Sequence, residues 1–519
     1  MERRALLIAV GVALLGCQPA PVPPQEPGLV VIGNSRMGFR GDGTGLAVHG
    51  AMTVPNRDSP LLERFGEVEE ITLDVRTGTY EVQGSKAKGT VRVHPSEMAF
   101  DFQTTPRQTF ATSEEFRVRG AGVLPNLDVA WKKFWQTDIV IEGPADDQAA
   151  VRRHLYYLRV FGPSADGRMP GVFGTGSQKY NGHIFWDHDV WIFPALMWFD
   201  PTAAVIIPRY RIAGLAAAER NAIRRGEQGA RYPWEGNPAG AEATAGDNVR
   251  QWHVNGAVAL GLRWASQAGL VPAADAERGR NAIAENARSV SLIDGGLVGL
   301  KEVYGPDEYH LVDNDLYTNA LAADLLGLAP RIPRDGDGRL LAFEGDARQN
   351  YQQANAILAA WPLQDEAFEN QAVEMVGLFG PGVTANGPAM TKSVEALLLA
   401  RFGSSQEAYE RWRRSFEDYE RGSLRLFCET PQSKDGPFLT GVAGCLNAVL
   451  YGFVGLRLDD EPWPDAAWKR QLASGAWVSI RPNLPPTWQK VTLTKVWFDG
   501  VPYRVEATQR SVVVTPLGG

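Results

Sequence analysis

The middle of the chain carries hydrophobic residues at helical spacing. After Pro144, apolar residues recur every three to four positions, as at Val151, Leu155 and Leu158, which predicts helices with one face against a core. The helices predicted in this way cover residues 145–160, 203–225, 253–268, 273–291, 314–326, 350–360, 391–402, 406–420 and 438–455. Loops rich in glycine, proline, tryptophan and acids separate these helices. Paired helices with functional loops at one end indicate a helical toroid.

Both flanks of this region have the short alternating runs of β-strands. Before it, residues 71–75 and 89–93 alternate and are interrupted by glycine, proline and asparagine, which indicates an antiparallel sandwich. After Pro462, residues 477–480, 490–493, 503–505 and 511–514 are again strand-like. We therefore predict an N-terminal β-sandwich at 29–143, a helical domain at 144–461 and a small C-terminal β-domain at 462–519.

The N-terminus has the pattern of an export signal. Arg3 and Arg4 precede an apolar run, residues 5–15, that is too short for a permanent membrane span. The following Gly16 and Cys17 resemble a bacterial lipoprotein cleavage site. This predicts a signal peptide at 1–16, lipidation of Cys17 and a proline-rich tether at 17–28. An exported lipoprotein held to the membrane by its lipid is expected; a plain secretory signal is the alternative.

Composition narrows the choice of partners. A net charge of −8 argues against nucleic acid, which requires a basic surface. Fifteen tryptophans favour carbohydrate, because indole rings pack on the flat faces of sugars. The seven histidines lack paired metal spacing, so no metal or other cofactor is expected. Apart from Cys17, only Cys428 and Cys445 remain; a disulfide and two buried thiols are both open.

Four loop segments combine acids with aromatic or polar residues. Cleavage of a glycosidic bond needs two carboxyl groups, one protonated to donate to the leaving oxygen and one ionised to activate water or attack. Any single acid could instead cap a helix or be a buried structural group. Their concentration on the loops of one helical domain favours chemistry. The four segments are FWDHD at 185–189, YPWE at 232–235, GPDEYH at 305–310 and FCET at 427–430.

The order of these segments, with YTN at 317–319, resembles glycoside hydrolase family 65. The similarity runs from about residue 145 to 456 and reaches IRPNLP at 480–485. Within the family, the stretches at 183–194, 253–258, 387–391 and 438–441 resemble the branch of glucosyl-galactosyl-hydroxylysine glucosidases. The resemblance implies a mainly α fold, in which an (α/α)6 barrel follows an N-terminal β-sandwich and precedes a small β-sheet domain.

The resemblance also implies roles for individual residues. The glutamate of the GPDEYH segment is the family's general acid, here Glu308. The hydrolases carry a second glutamate that activates water, and Glu429 occupies that place, whereas the phosphorylases use phosphate and lack this base. Inverting hydrolysis of an α-glucoside is therefore expected, with kojibiose-type α-1,2 bonds foremost. The resemblance implies sugar binding by a further set: Trp186, Asp187, Trp234, Glu235, His253, Gln352 and Gln353.

One segment departs from the family pattern. Where the family usually has Lys-Gln-Ala-Asp, residues 352–355 read QQAN, so Gln352 replaces a lysine and Asn355 replaces an aspartate. An amide still forms hydrogen bonds but without charge assistance. Weaker sugar binding follows. There are two alternatives to a hydrolase: a phosphorylase, and a sugar-binding protein that has lost catalysis. The oligomeric state is open.

Overall fold

The computed structural model describes residues 29–34, 37–42, 46–50, 68–77, 79–84, 88–93, 100–105, 127–165, 167–177 and 179–518. The predicted signal peptide at 1–16, the lipidation site Cys17 and the tether at 17–28 lie outside these residues. Within the described residues, no helix has the length and apolar character needed to cross a membrane.

Helices make up most of the region between residues 145 and 455. Capping side chains define several of their ends: Asp315 accepts from the backbone N–H of Thr318, and Ser404 accepts from that of Glu407. The α-helices are Leu127–Phe134, Ala145–Phe161, Phe193–Met197, Pro201–Ala204, Ile206–Ala213, Leu215–Arg224, His253–Gln267, Ala273–Val290, Leu316–Leu326, Glu366–Glu369, Ala372–Phe379, Thr391–Phe402, Ser405–Glu417 and Leu439–Asn447.

In the described part of the chain, six helical segments contact one another in cyclic order, and we call them the inner ring. Each segment packs against the next, and the sixth packs against the first, so the ring closes around a buried centre. The six are His188–Ile192 with Phe193–Met197, His253–Gln267, Leu316–Leu326, Ala356–Ala359, Thr391–Phe402, and Leu439–Asn447 with Ala448–Phe453.

The inner ring is apolar on nearly all sides, whereas the helices outside it are amphipathic. Every residue of Leu439–Asn447 is buried, as expected for a helix surrounded by others. Helix Ala145–Phe161 packs on it from outside, Ala273–Val290 packs on His253–Gln267, and Ser405–Glu417 packs on Thr391–Phe402. The outer helices keep charged faces towards solvent.

Two predicted helices differ from the observed elements. The segment predicted at 350–360 is helical only at Ala356–Ala359, because the backbone N–H of Tyr351 donates to Gly382 and that of Gln352 donates to the Asp307 carboxylate. The segment predicted at 203–225 divides into three α-helices, which meet at Val205 and Gly214.

The N-terminal strands form two antiparallel sheets. One contains Leu29–Asn34, Met37–Asp42 and Leu46–Gly50, and the other contains Val68–Asp74, Thr79–Gly84, Lys88–Val93 and Phe100–Thr105. The C-terminal strands are Leu456–Asp459, Trp468–Gln471, Trp477–Ile480, Lys490–Phe498, Val501–Ala507 and Val512–Pro516.

One strand crosses the predicted domain boundary. Ile139–Glu142 pairs with the start of Lys490–Phe498, with Ile139 opposite Leu493. The residues just before the helical domain therefore belong to the C-terminal sheet, and this pairing joins the two ends of the helical domain.

Short strands form the loops at one end of the inner ring. Val303–Tyr304 pairs with Leu311–Val312, and Glu420–Arg421 pairs with Leu426–Phe427. A third small sheet contains Leu292–Asp294, Leu297–Gly299 and Ala329–Pro330. The first two hairpins position residues of the candidate site.

Candidate active site

The candidate site residues gather where the inner-ring segments begin. Asp187 directly precedes His188–Ile192, His253 is the first residue of His253–Gln267, and Gln353 lies three residues before Ala356–Ala359. Helix N-termini carry partial positive charge and unpaired N–H groups. This end of the ring is therefore suited to hold several acidic side chains together.

Glu308 lies in the loop between strands Val303–Tyr304 and Leu311–Val312. Its φ is 61°, a left-handed conformation that costs a residue other than glycine about 1–2 kcal/mol. Its backbone N–H donates to the carbonyl of Gly305 at 3.0 Å. Gly305 itself cannot carry a side chain, since a Cβ there would lie 2.3 Å from Oδ2 of Asp315.

Hydrogen bonds from the neighbouring residues 352–353 and within the loop itself hold the rest of this loop in place. The buried Asp307 carboxylate accepts the backbone N–H of Gln352 at 2.8 Å and contacts the His310 imidazole. Gln353 donates from Nε2 to the carbonyl of Pro306 at 2.6 Å. These bonds hold the strained backbone of Glu308 in place, which is the setting in which strain accompanies function.

The carboxyl group of Glu308 has a pKa raised to about 8. Loss of hydration in the pocket is the largest cause, followed by the negative charges of Asp187 and Glu429. The indole N–H of Trp234 faces the carboxyl and opposes the increase, although it lies outside normal hydrogen-bond geometry. Glu308 is therefore protonated at neutral pH.

Glu429 follows the hairpin Glu420–Arg421 and Leu426–Phe427, and its backbone carbonyl accepts from Ala389 at 2.8 Å. Its carboxylate is paired with the ammonium of Lys179 through Oε2. Its Oε1 accepts the hydroxyl of Tyr180 at 2.8 Å. Both partners stabilise negative charge on Glu429, whereas burial and the neighbouring carboxylates disfavour negative charge on Glu308.

Asp187 is the third carboxyl of the site. It is buried, and its Oδ2 accepts the hydroxyl of Thr440 at 2.7 Å. Burial raises the pKa of Asp187 to about 6, while the Thr440 bond opposes the increase. The structure therefore brings Asp187, Glu308 and Glu429, which come from three distant segments, within reach of one another's charge.

Trp186 and His253 form the packed base beneath Asp187. Trp186 lies edge-to-face between Trp191 and His253, with both ring centroids 4.8 Å away. His253 is buried, and burial lowers its pKa to about 3, so the imidazole is neutral. Both rings are core-like, and they fix the backbone that carries Asp187.

Trp234 and Glu235 lie on the neighbouring loop. Trp234 is partly exposed and packs edge-to-face on Phe185 with centroids 5.2 Å apart. Glu235 pairs with the imidazole of His183, whose Nδ1 lies 2.8 Å from Oε1. Both side chains are partly exposed, as expected for residues that contact a leaving sugar.

Residues 352 and 353 form hydrogen bonds with residues 305–310, the loop that contains Glu308. The Gln352 side chain is partly exposed, while Gln353 is buried and uses its amide N–H on Pro306. Asn355 donates from Nδ2 to Oδ2 of Asp315. Where the family has an aspartate, this chain thus has a donor for a buried carboxylate.

Three contacts to the predicted acids come from residues to which the sequence assigned no role: Lys179, Tyr180 and Thr440, the last within the family-like stretch 438–441. The only local signal is the Asn-Gly pair at 181–182, which predicts a turn. The pairing of Lys179 with Glu429 and of Thr440 with Asp187 could not be predicted, because the partners lie about 250 positions apart.

Cys428 and Cys445 are both buried free thiols. No group of three or more histidine, cysteine, aspartate or glutamate side chains within the described residues is arranged to hold a metal ion.

A protonated carboxyl, an ionised carboxylate and aromatic walls at the end of a helical ring are the components that acid–base cleavage of a glycosidic bond requires. Comparison with known proteins agrees with this class. Residues 152–335 match the central catalytic domain of glycosyl hydrolase family 65. This part of the chain is similar to that catalytic domain, in agreement with the resemblance of the sequence motifs.

Several relatives carry names of glycoside-cleaving enzymes. A kojibiose hydrolase of Flavobacterium johnsoniae is 29% identical over 403 residues, which are 70% of this chain and 56% of the relative. A protein-glucosylgalactosylhydroxylysine glucosidase of Mus musculus is 28% identical over 403 residues, 69% of this chain and 58% of the relative. The matches thus span little more than half the length of these relatives.

Among solved structures, one assigned as a kojibiose phosphorylase from the human microbiome superposes with a TM-score of 0.62. The match covers 95% of this chain and 92% of the other at 15% identity. It shows that the overall fold is shared.

Proposed function

We propose that this protein is a glycoside hydrolase that cleaves an α-linked glucoside in one step with inversion, using Glu308 as general acid and Glu429 as general base. The observation that carries the proposal is a pair of glutamates that interact electrostatically but have opposite surroundings. Glu308 is held in a dehydrated, negatively charged setting, and Glu429 is paired with Lys179.

The acid step follows from the raised pKa of Glu308. A carboxyl that keeps its proton up to a pH of about 8 can donate it to the glycosidic oxygen as the bond to the anomeric carbon breaks. Asp187, anchored by Thr440, would bind hydroxyls of the glucose whose bond is cleaved. Trp234 and Glu235 would contact the leaving group.

The base step decides between water and phosphate as nucleophile. A carboxylate at the position of Glu429 accepts a proton from water as the water attacks the anomeric carbon. The same negative charge would repel a phosphate dianion. Glu429 therefore supports hydrolysis over phosphorolysis, although the fold is shared with a protein assigned as a phosphorylase.

The substrate class follows from the relatives. Two curated relatives are named kojibiose hydrolases, from Flavobacterium johnsoniae and Mucilaginibacter mallensis. We propose a glucose joined by an α-1,2 bond, either in a disaccharide or at the end of a larger glycan. In this proposal the inner ring and the helices around it form an (α/α)6 barrel, preceded by a β-sandwich.

The export pattern at the N-terminus supports a location outside the cytoplasm. We propose that residues 1–16 are removed and that lipidated Cys17 anchors the enzyme to a membrane. Expression in a bacterial host with radiolabelled palmitate tests this: the chain should be labelled, and Cys17→Ala should abolish the label. An unlabelled but processed chain would instead indicate a plain secretory signal.

A panel of α-linked glucose disaccharides tests the activity. We expect glucose release from kojibiose that does not depend on inorganic phosphate, and proton NMR should show β-glucose as the first product. Glucose 1-phosphate formed only with phosphate would identify a phosphorylase, and first-formed α-glucose would contradict inversion. Binding without turnover would identify a sugar-binding protein.

A further inference from the structure

Glu429 is held by two consecutive residues from a distant part of the chain. Lys179 pairs with Oε2, and the Tyr180 hydroxyl donates to Oε1 at 2.8 Å. The Lys179 ammonium also lies 5.0 Å from the centroid of the Tyr180 ring and 5.3 Å from that of Phe173. The cation is thus fixed by an aromatic pair on one side and by the carboxylate on the other.

The backbone that carries these two residues is unusual. Tyr180, Asn181 and Gly182 all have positive φ, at 56°, 54° and 68°. The left-handed conformation is unfavourable for residues with a Cβ, and Tyr180 remains 37% exposed, so burial of its ring does not explain the turn. The turn starts at Tyr180, which bonds to Glu429, and directly follows Lys179.

We propose that Lys179 is a positioning residue that keeps Glu429 ionised and oriented for attack by water. The inference rests on the proposed function, since it concerns the base of that reaction. In the reaction, water gives its proton to Glu429 while its oxygen bonds to the anomeric carbon, and Lys179 keeps its own proton throughout.

The charges around Glu429 make such a cation necessary. Asp187 and Glu308 both lie close enough to interact electrostatically with Glu429, and Tyr180 is a neutral donor. Lys179 is a cation in direct contact with this carboxylate. Each carboxylate oxygen receives one hydrogen bond from this turn and retains a second lone pair, which leaves Glu429 able to accept from water.

The test compares Lys179→Met with Lys179→Arg in the full-length enzyme. We expect Lys179→Met to lower kcat at least about 10-fold with little change in KM. In a plot of kcat against pH, the acid limb should move to higher pH by about one unit. Without the cation, negative charge on Glu429 loses its paired partner. Lys179→Arg should retain the wild-type limb.

Lys392 provides a matched control. It is 25% exposed against 28% for Lys179, it pairs with Asp418, and its ammonium lies 5.5 Å from the centroid of the Tyr419 ring. Lys392→Met should therefore match Lys179→Met in stability but leave the pH profile unchanged. Circular dichroism confirms that each variant is folded.

Two results would overturn the proposal. An unchanged acid limb in folded Lys179→Met would show that Lys179 does not act through Glu429. A higher KM at unchanged kcat would instead make Lys179 a substrate contact. If the wild-type enzyme hydrolyses no α-glucoside, the proposed function itself fails, and the role of Lys179 fails with it.

Discussion

Thr440 donates its hydroxyl hydrogen to Oδ2 of Asp187 at 2.7 Å, across 253 positions of sequence. Thr440 lies in the first turn of helix Leu439–Asn447, and Asp187 directly precedes His188–Ile192. These are neighbouring segments of the inner ring. The bond therefore joins two elements of the ring at the point where the sugar is proposed to bind.

Thr440→Val should weaken both stability and sugar binding. It leaves one buried oxygen of Asp187 without its donor, which costs about 1–3 kcal/mol. Because the Thr440 bond lowers the pKa of Asp187, its loss raises that pKa above about 6. Urea unfolding should show the lost stability, and kcat/KM should decline on the acid side at a higher pH than in the wild type.

The surface pair Thr202 and Asp200 is the matched control for this change. Thr202 donates to Oδ1 of Asp200 at 2.7 Å in an exposed setting. Thr202→Val should alter stability by less than about 1 kcal/mol and leave the pH profile as it is. Equal effects of the two substitutions would mean that the Asp187 bond has no special role.

Glu308→Gln and Glu429→Gln should be separable by the leaving group. Each should lower kcat on a glucose disaccharide at least about 10²-fold. With α-glucosyl fluoride, whose leaving group requires little protonation, Glu308→Gln should recover much of its activity and Glu429→Gln should not. Steady-state rates on the two substrates measure this. Recovery by Glu429→Gln instead would mean that the two roles are reversed.

The raised pKa of Glu308 also makes stability depend on pH. The pKa is about 8 in the folded protein against 4.5 in the unfolded chain, so folding favours the protonated form. This contribution is complete below pH 4.5 and is lost as the pH rises through about 8. Glu308→Gln, which cannot ionise, should therefore equal the wild type at pH 4.5 and exceed it at pH 8.5. Since Glu308 is only partly buried, the gain should be about 1–3 kcal/mol.

Glu302→Gln controls for backbone strain in this experiment, because Glu302 also has a positive φ, at 48°, but is largely exposed. Thermal unfolding of both variants from pH 4.5 to 8.5 measures the difference. A Glu308→Gln curve parallel to that of the wild type would contradict the raised pKa.

Asn355→Asp should destabilise the protein in a pH-dependent way. Asn355 donates to Oδ2 of Asp315, a buried carboxyl whose pKa is raised to about 6, chiefly by burial. A second carboxyl there could form the bond only by holding a proton. The loss of stability should be small at pH 5 and about 2 kcal/mol larger at pH 7.5. Chemical denaturation at both pH values measures it, and a pH-independent loss would point to packing alone.

Much of the secondary structure could be predicted from sequence. Helices were expected at 253–268 and 391–402 and are observed at His253–Gln267 and Thr391–Phe402, because the helix preference of such runs acts locally. The strand at 477–480 was likewise predictable. The prediction failed at 350–360, where the N–H groups of Tyr351 and Gln352 are taken by partners far along the chain.

The sequence by itself determined the helical middle, the β-rich flanks and the motifs that contain Glu308 and Glu429. Only the tertiary structure decided how these glutamates differ. A pKa depends on burial and on charges within a few ångströms, and those charges reach Glu308 and Glu429 from segments that only the closed ring brings together. Lys179 shows this most clearly, because an isolated lysine acquires a role only when the fold places it on Glu429.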